Sequence, residues 1–162
     1  MRIKCFIYLT LAISFSCGKT SSHKSNKSFE VINLTDVINI TWSVDSGKIA
    51  RDSAYYYISS HFEELKMDIV EVVADTHHLN IQTKEKEEKV KFTKGVLAFM
   101  LIDEFVVLPY SRMLDFDFDL WTHEYPYPIG LLSYVANHPD TVQAKLGRYL
   151  TTKDTISPVW PM

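Results

Sequence analysis

The segment Lys94 to Val107 reads Lys-Gly-Val-Leu-Ala-Phe-Met-Leu-Ile-Asp-Glu-Phe-Val-Val and is apolar nearly all round. A helix without a wet face has to be enclosed by protein or by lipid. Roughly 20 apolar residues are needed to cross a bilayer as a helix. This run is shorter, and Asp103 and Glu104 interrupt it. It is therefore expected as a helix buried inside a folded domain, with Pro109 ending it.

Other segments supply the elements around it. Ala54, Tyr57, Ile58, His61, Phe62 and Leu65 recur at three- and four-residue spacing, so 51–67 reads as a helix capped by Asp52 or Ser53. Asp68 to Ala74 is rich in Val and Ile and either extends that helix or forms a strand. Gly130–Asn137 reads as a helix. Asp140–Leu150 reads as another, with Pro139 in its first turn. Ile38, Ile40, Trp42 and Val44 alternate with polar residues, which is a strand period. Thr35-Asp36 capping a short helix is the alternative there. Asp45-Ser46-Gly47 reads as a turn. Residues 75–83 read as a loop or short strand, 84–89 as the solvated start of a helix, 110–128 as an aromatic, proline-rich loop, and 151–162 as a tail. The expected fold class is mainly α: a small compact helical domain, with a short β element near its N-terminus.

The chain begins with Arg2 and Lys4, then the uncharged run Phe6 to Phe15, then Ser16 and Cys17. A positive start, a short apolar stretch and a small-residue exit are the parts of a secretory signal. The exit Ser14-Phe15-Ser16-Cys17, followed by Gly18, resembles the lipobox of bacterial lipoproteins, in the looser form of the Bacteroidota. Ser14 departs from the usual aliphatic residue. The resemblance covers only about the first 17 residues. It implies that 1–16 is a signal peptide and that Cys17 receives a diacylglyceryl group on its sulfur and becomes the mature N-terminus. Residues 18–28 are small, polar and basic, and read as a flexible tether. Its Lys19, Lys24 and Lys27 lie where a lipid-anchored chain meets anionic headgroups. Residues 29–162 read as one globular domain. The tether is about ten residues and reaches roughly 30 Å when extended.

Cysteine use agrees with export. The only two cysteines are Cys5 and Cys17, so no disulfide staples the domain. Beyond residue 16 the chain keeps 15 of its 17 basic residues and all 20 acidic ones, a net charge of −5. A mildly acidic domain lacks the electrostatic footprint of a nucleic-acid binder and suits a basic partner.

Four groups of residues are candidate sites. His77 and His78, with Asp75 nearby, are zinc-ligand types, with His61 or His123 as a further ligand. Neighbouring side chains point apart on a strand or helix, which works against both reaching one metal. Asp115-Phe116-Asp117-Phe118-Asp119 places three carboxylates at period two. As a calcium loop it fails, because Leu120 and Pro126 stand where an EF-hand needs Gly and Glu. Asp103-Glu104 in an apolar helix needs partners or a wet edge, and a carboxyl with a raised pKa there is a general acid or base by type. Phe116, Phe118, Trp121, Tyr125 and Tyr127, with Tyr110 nearby, form an aromatic cluster of the kind that makes binding hot spots. No helical zincin pattern, nucleophile elbow, phosphate loop or dinucleotide fingerprint occurs, so no catalytic residue, metal or cofactor is assigned.

These features point to a non-catalytic lipoprotein of a bacterial cell envelope, on a periplasmic or outer-membrane face. Its partners are the membrane, through the lipid anchor, and a protein. The protein is expected to bind at Asp115, Asp117, Asp119, Trp121, Tyr125 and Tyr127. An immunity protein against a periplasmic toxin is one concrete form. A metal-dependent or other envelope hydrolase, and a structural component of an envelope assembly, are the alternatives. Metabolic labelling of the expressed chain with a fatty acid should mark the wild type and leave Cys17→Ala unmarked. Equal labelling of the two would contradict the anchor assignment.

Overall fold

The structure is a computed structural model and describes residues 29–81, 92–115 and 129–152. The first described elements are strands β1 (Phe29–Asn33), β2 (Asn39–Ser43) and β3 (Lys48–Ile49), which form an antiparallel sheet in the order β1-β2-β3. Register pairs Ile32 with Ile40 and Trp42 with Ile49. One sheet face therefore buries Ile32, Ile40, Trp42 and Ile49, while Phe29 and Val31 face outward. Thr35 does not start a helix. Its hydroxyl oxygen accepts the N–H groups of Val37 and Ile38, which closes the β1–β2 turn. Gly47 supplies the positive φ (63°) between β2 and β3.

Asp52 caps α1 (Ser53–Ser60). One carboxylate oxygen accepts the Tyr55 N–H, and the other accepts the Thr41 hydroxyl. The cap thus also ties the helix to β2. These bonds, the Thr41 one foremost, hold the Asp52 carboxyl below its usual range. The single helix expected over 51–67 is broken at His61, whose N–H is shared between the Tyr57 and Ile58 carbonyls. The chain resumes as α2 (Phe62–Val72), so Asp68–Val72 is helix and not strand. Tyr55, Ile58 and Phe62 are buried, whereas Tyr57 is exposed.

Helix α3 (Lys94–Phe105) starts at the buried cap Thr93, whose hydroxyl oxygen accepts the Val96 N–H. Every residue from Gly95 to Ile102 is buried. It packs on α2 and on α5 (Ile129–Asn137). The helix stops at Phe105, before Pro109 can act, and Val106 is already extended (φ −132°, ψ 129°). The aromatic segment after it is not all loop: Tyr110–Leu114 forms a short helix, α4, that buries Met113 and Leu114. Helix α6 (Pro139–Thr152) turns Val142, Leu146 and Leu150 inward, packs on both α2 and α4, and takes in Thr151 and Thr152 from the expected tail. The fold is mostly helical with a small antiparallel sheet near its N-terminal side, as the sequence led us to expect. Among the described residues no helix is long and apolar enough to cross a membrane.

Gly95 sets how closely α3 approaches the end of α2. Its N–H donates to the Asp75 carbonyl at 3.0 Å. A Cβ there would lie 2.2 Å from the Val73 carbonyl oxygen, and backbone cannot swing aside as a flexible side chain can. Gly147, within α6, has its nearest neighbour at an ordinary 3.5 Å. Gly95→Ala should therefore destabilise the domain by about 3 kcal/mol through overpacking. Gly147→Ala should stabilise it by about 0.5 kcal/mol through helix propensity. Urea denaturation of both variants checks the contrast, and equal losses would contradict the packing described.

Candidate functional site

A cleft of about 940 Å³ lies between the sheet and the C-terminal end of α3. Its walls carry charges of both signs: Lys48, Arg51 and Asp52 from the β3–α1 region, and Asp103 and Glu104 from α3. Arg51 has two neighbours in this wall. Its guanidinium lies 3.5 Å from the Glu104 carboxylate and 5.8 Å from the centre of the Tyr55 ring. The Tyr55 phenol donates to Glu104 in turn, and burial followed by the Glu104 charge pushes that phenol up. Tyr55 and Phe62 each pack behind in tilted contact with Phe105, with ring centres 5.0 Å apart in each pair. The apolar cluster holds this wall of the cleft in one geometry.

Asp103 takes the other side. It is half-buried and accepts a hydrogen bond from the Tyr110 hydroxyl. Burial pushes its carboxyl up to about 6. The Tyr110 bond opposes this, and the Glu104 charge adds to it. Both sequence expectations for this residue are met in part: it has a partner, and it lies at a solvent-facing edge.

A second surface runs along α1 and α2. Tyr56 and Tyr57 are 61% and 55% exposed, and Tyr57 stacks on His61 at 4.4 Å. Glu64, Asp68 and Glu71 follow at helical spacing and are exposed, with Met67 beside them. Lys66 is the only basic residue of α2 and pairs with Glu63. Sequence periodicity missed this surface because it counted Tyr57 among the inward residues. The signal for it was the doubled pattern Tyr55-Tyr56-Tyr57, since one helix face cannot bury three consecutive rings.

The other candidates fare differently. His77 and His78 are exposed, and the Asp75 carboxylate accepts the backbone N–H of His77 at 2.7 Å. Among the described residues no three His, Cys, Asp or Glu side chains gather as metal ligands. Asp115 is exposed but not extended. It takes the left-handed conformation (φ 54°, ψ 41°) that ends α4, and the rest of the alternating pattern expected over 115–119 lies outside the described residues. Its carboxylate pairs with Lys145 at 2.9 Å. Cys17, Asp117, Asp119, Trp121, Tyr125 and Tyr127 lie outside the described residues, as do Phe116, Phe118 and His123.

The position of Asp103 predicts a pH effect. An acid whose pKa rises on folding binds its proton more tightly in the native state. Between about pH 4 and pH 6 the native chain then holds more protons than the unfolded one. Stability falls as pH rises through that window and is level above it. About 2 kcal/mol is at stake after allowing for solvent at the cleft. Asp103→Asn should match the wild type near pH 4 and exceed it by about that amount at pH 7, as read by urea denaturation at both values. A difference independent of pH would contradict the burial described.

Comparison with protein-family models, with curated proteins and with solved structures found no match for this chain.

Proposed function

We propose that this chain is a non-catalytic lipoprotein of a bacterial cell envelope, anchored through Cys17, whose domain binds a protein partner on the outer face of α1 and α2. The observation that carries the reading is the exposed pair Tyr56 and Tyr57 on α1, followed along the chain by the exposed acids Glu64, Asp68 and Glu71 of α2. Exposed tyrosines beside charges are the material of interface hot spots. The His61 stack already restrains the Tyr57 ring, so little side-chain freedom remains to be lost on binding. The acidic line selects a basic partner surface and speeds its approach. An immunity protein facing a basic toxin in the periplasm is a concrete form of this reading. Of the segment expected to bind, only Asp115 is among the described residues, whereas the exposed residues of α1 and α2 all are.

Chemical cross-linking in envelopes, followed by purification of the chain, isolates a partner whose affinity can then be measured. Tyr57→Ala should weaken it at least 10-fold, a hot-spot loss of about 2 kcal/mol. Glu64→Lys with Asp68→Lys should slow association and flatten its salt dependence. A partner that binds both variants like the wild type would contradict the assignment.

A second reading, an envelope hydrolase, has one observation of its own: Asp103, titrating near 6, lines the large cleft. Turnover of an envelope polymer with an inflection near that pH, lost in Asp103→Asn, would favour it over the binding reading.

A further inference from the structure

We propose that the groove between α4 and α6 docks the domain on anionic phospholipid headgroups. The groove has a volume of about 350 Å³ and is lined by Arg112 of α4 and by Lys145, Arg148 and Thr152 of α6, with Pro109, Met113 and Tyr149 as its apolar wall. Lys145, Arg148 and Thr152 fall at steps of three and four residues, which puts them on one side of α6. Arg112 and Arg148 are exposed. Lys145 is held in place: its ammonium donates to the Leu114 carbonyl and to the Asp115 carboxylate, both at 2.9 Å. An ammonium has three donors, so a further N–H is available to a ligand. Among the described residues three cations face one acid here, in a domain whose overall charge is negative.

Among the described residues, charge is therefore separated across α6. Helix α6 packs against α2 on one flank and α4 on the other. The α2 flank carries Glu63, Glu64, Asp68 and Glu71 against Lys66, and the α4 flank carries the basic groove. A negative surface attracts the second flank and repels the first, which orients the whole domain.

Neighbouring apolar side chains point to a headgroup layer and not to free phosphate. Val107 is 64% exposed, and its carbonyl accepts the Tyr149 hydroxyl at 3.3 Å, which places it beside the groove. Phe29, 57% exposed, lines the same cleft as Val107. Cations flanked by exposed apolar groups suit an interface where phosphates lie above acyl chains, whereas a dissolved anion gains nothing from Val107 or Phe29. Phe29 is also where residues 1–28 join the domain, so a chain tethered at Cys17 has this side within reach of the bilayer. The inference rests on the anchored-lipoprotein reading for that last point, and on the groove for the rest.

The test uses the full chain with a fluorescent unnatural residue at position 107, or at position 64 on α2 as reference. Vesicles contain a lipid-borne quencher and are made of phosphatidylcholine, with or without phosphatidylglycerol. Position 107 should be quenched on the anionic vesicles, with loss of quenching at high salt, and position 64 should not be quenched. Each of Arg112→Ala and Arg148→Ala should lower the ratio of docked to undocked domain by about 5-fold. Arg112→Glu with Arg148→Glu should abolish quenching. Circular dichroism of these exposed-site variants verifies that they fold. Equal quenching with and without phosphatidylglycerol, or quenching that survives the double reversal, would overturn docking. So would a groove that captures an acidic protein while position 107 stays unquenched. Flotation with neutral vesicles reports the anchor separately: a chain that fails to float there but is quenched on anionic vesicles loses the anchor and keeps the docking face.

Discussion

The burial of α3 on all sides is the constraint on which the rest of the structure depends. A helix that is apolar around its whole circumference needs cover in every direction. Helices α2 and α5 pack directly against it. Trp42 of the sheet meets Phe92, just before the helix starts, at 5.5 Å between ring centres. Close approach to the α2 end is possible only because residue 95 has no side chain. Polar groups are tolerated only at the two ends of α3. At one end Thr93 is buried but satisfied by the Val96 N–H. At the other, Asp103 and Glu104 emerge into the cleft, each with a partner of its own.

With the core fixed in this way, the outer helices differ in what they present. Helix α2 turns its acids outward, and α1 before it exposes two tyrosines. Helices α4 and α6 gather three cations around an apolar groove. One fold thus carries a face suited to a basic protein and a face suited to an anionic surface. Helix α6 lies between them, and Gln143 donates to the Glu71 carbonyl at 3.2 Å across its contact with α2. A domain that is oriented while it is tethered can offer its acidic face away from the membrane. Tethering also raises the local concentration of that face for any partner confined to the same compartment.

Long, strongly patterned elements were legible in the sequence: α3 from its uninterrupted apolar run, α5 and α6 from their periodicity, β2 from its alternation. The break at His61 was not. No proline or glycine marks it, and it arises from a shared hydrogen bond that only the three-dimensional packing selects. Nor was the exposure of Tyr57, which was expected among the inward residues. Helix α4 was hidden for another reason, since five residues are too few to show a period. The segment 115–127 stands out in the sequence for its acidic and aromatic content. Composition can nominate such a segment, but exposure decides whether rings serve the core or a partner, and exposure belongs to the tertiary structure. The basic groove was illegible because Arg112 and Arg148 are 36 residues apart and meet only through the packing of α4 on α6.

The two-faced arrangement is tested most directly inside cells, with a photo-crosslinking residue placed at position 57 or at position 148 of the full chain. Irradiation should give a protein adduct from position 57 and a phospholipid adduct from position 148. A protein adduct from position 148, with none from position 57, would contradict the arrangement and reverse the roles of the two faces.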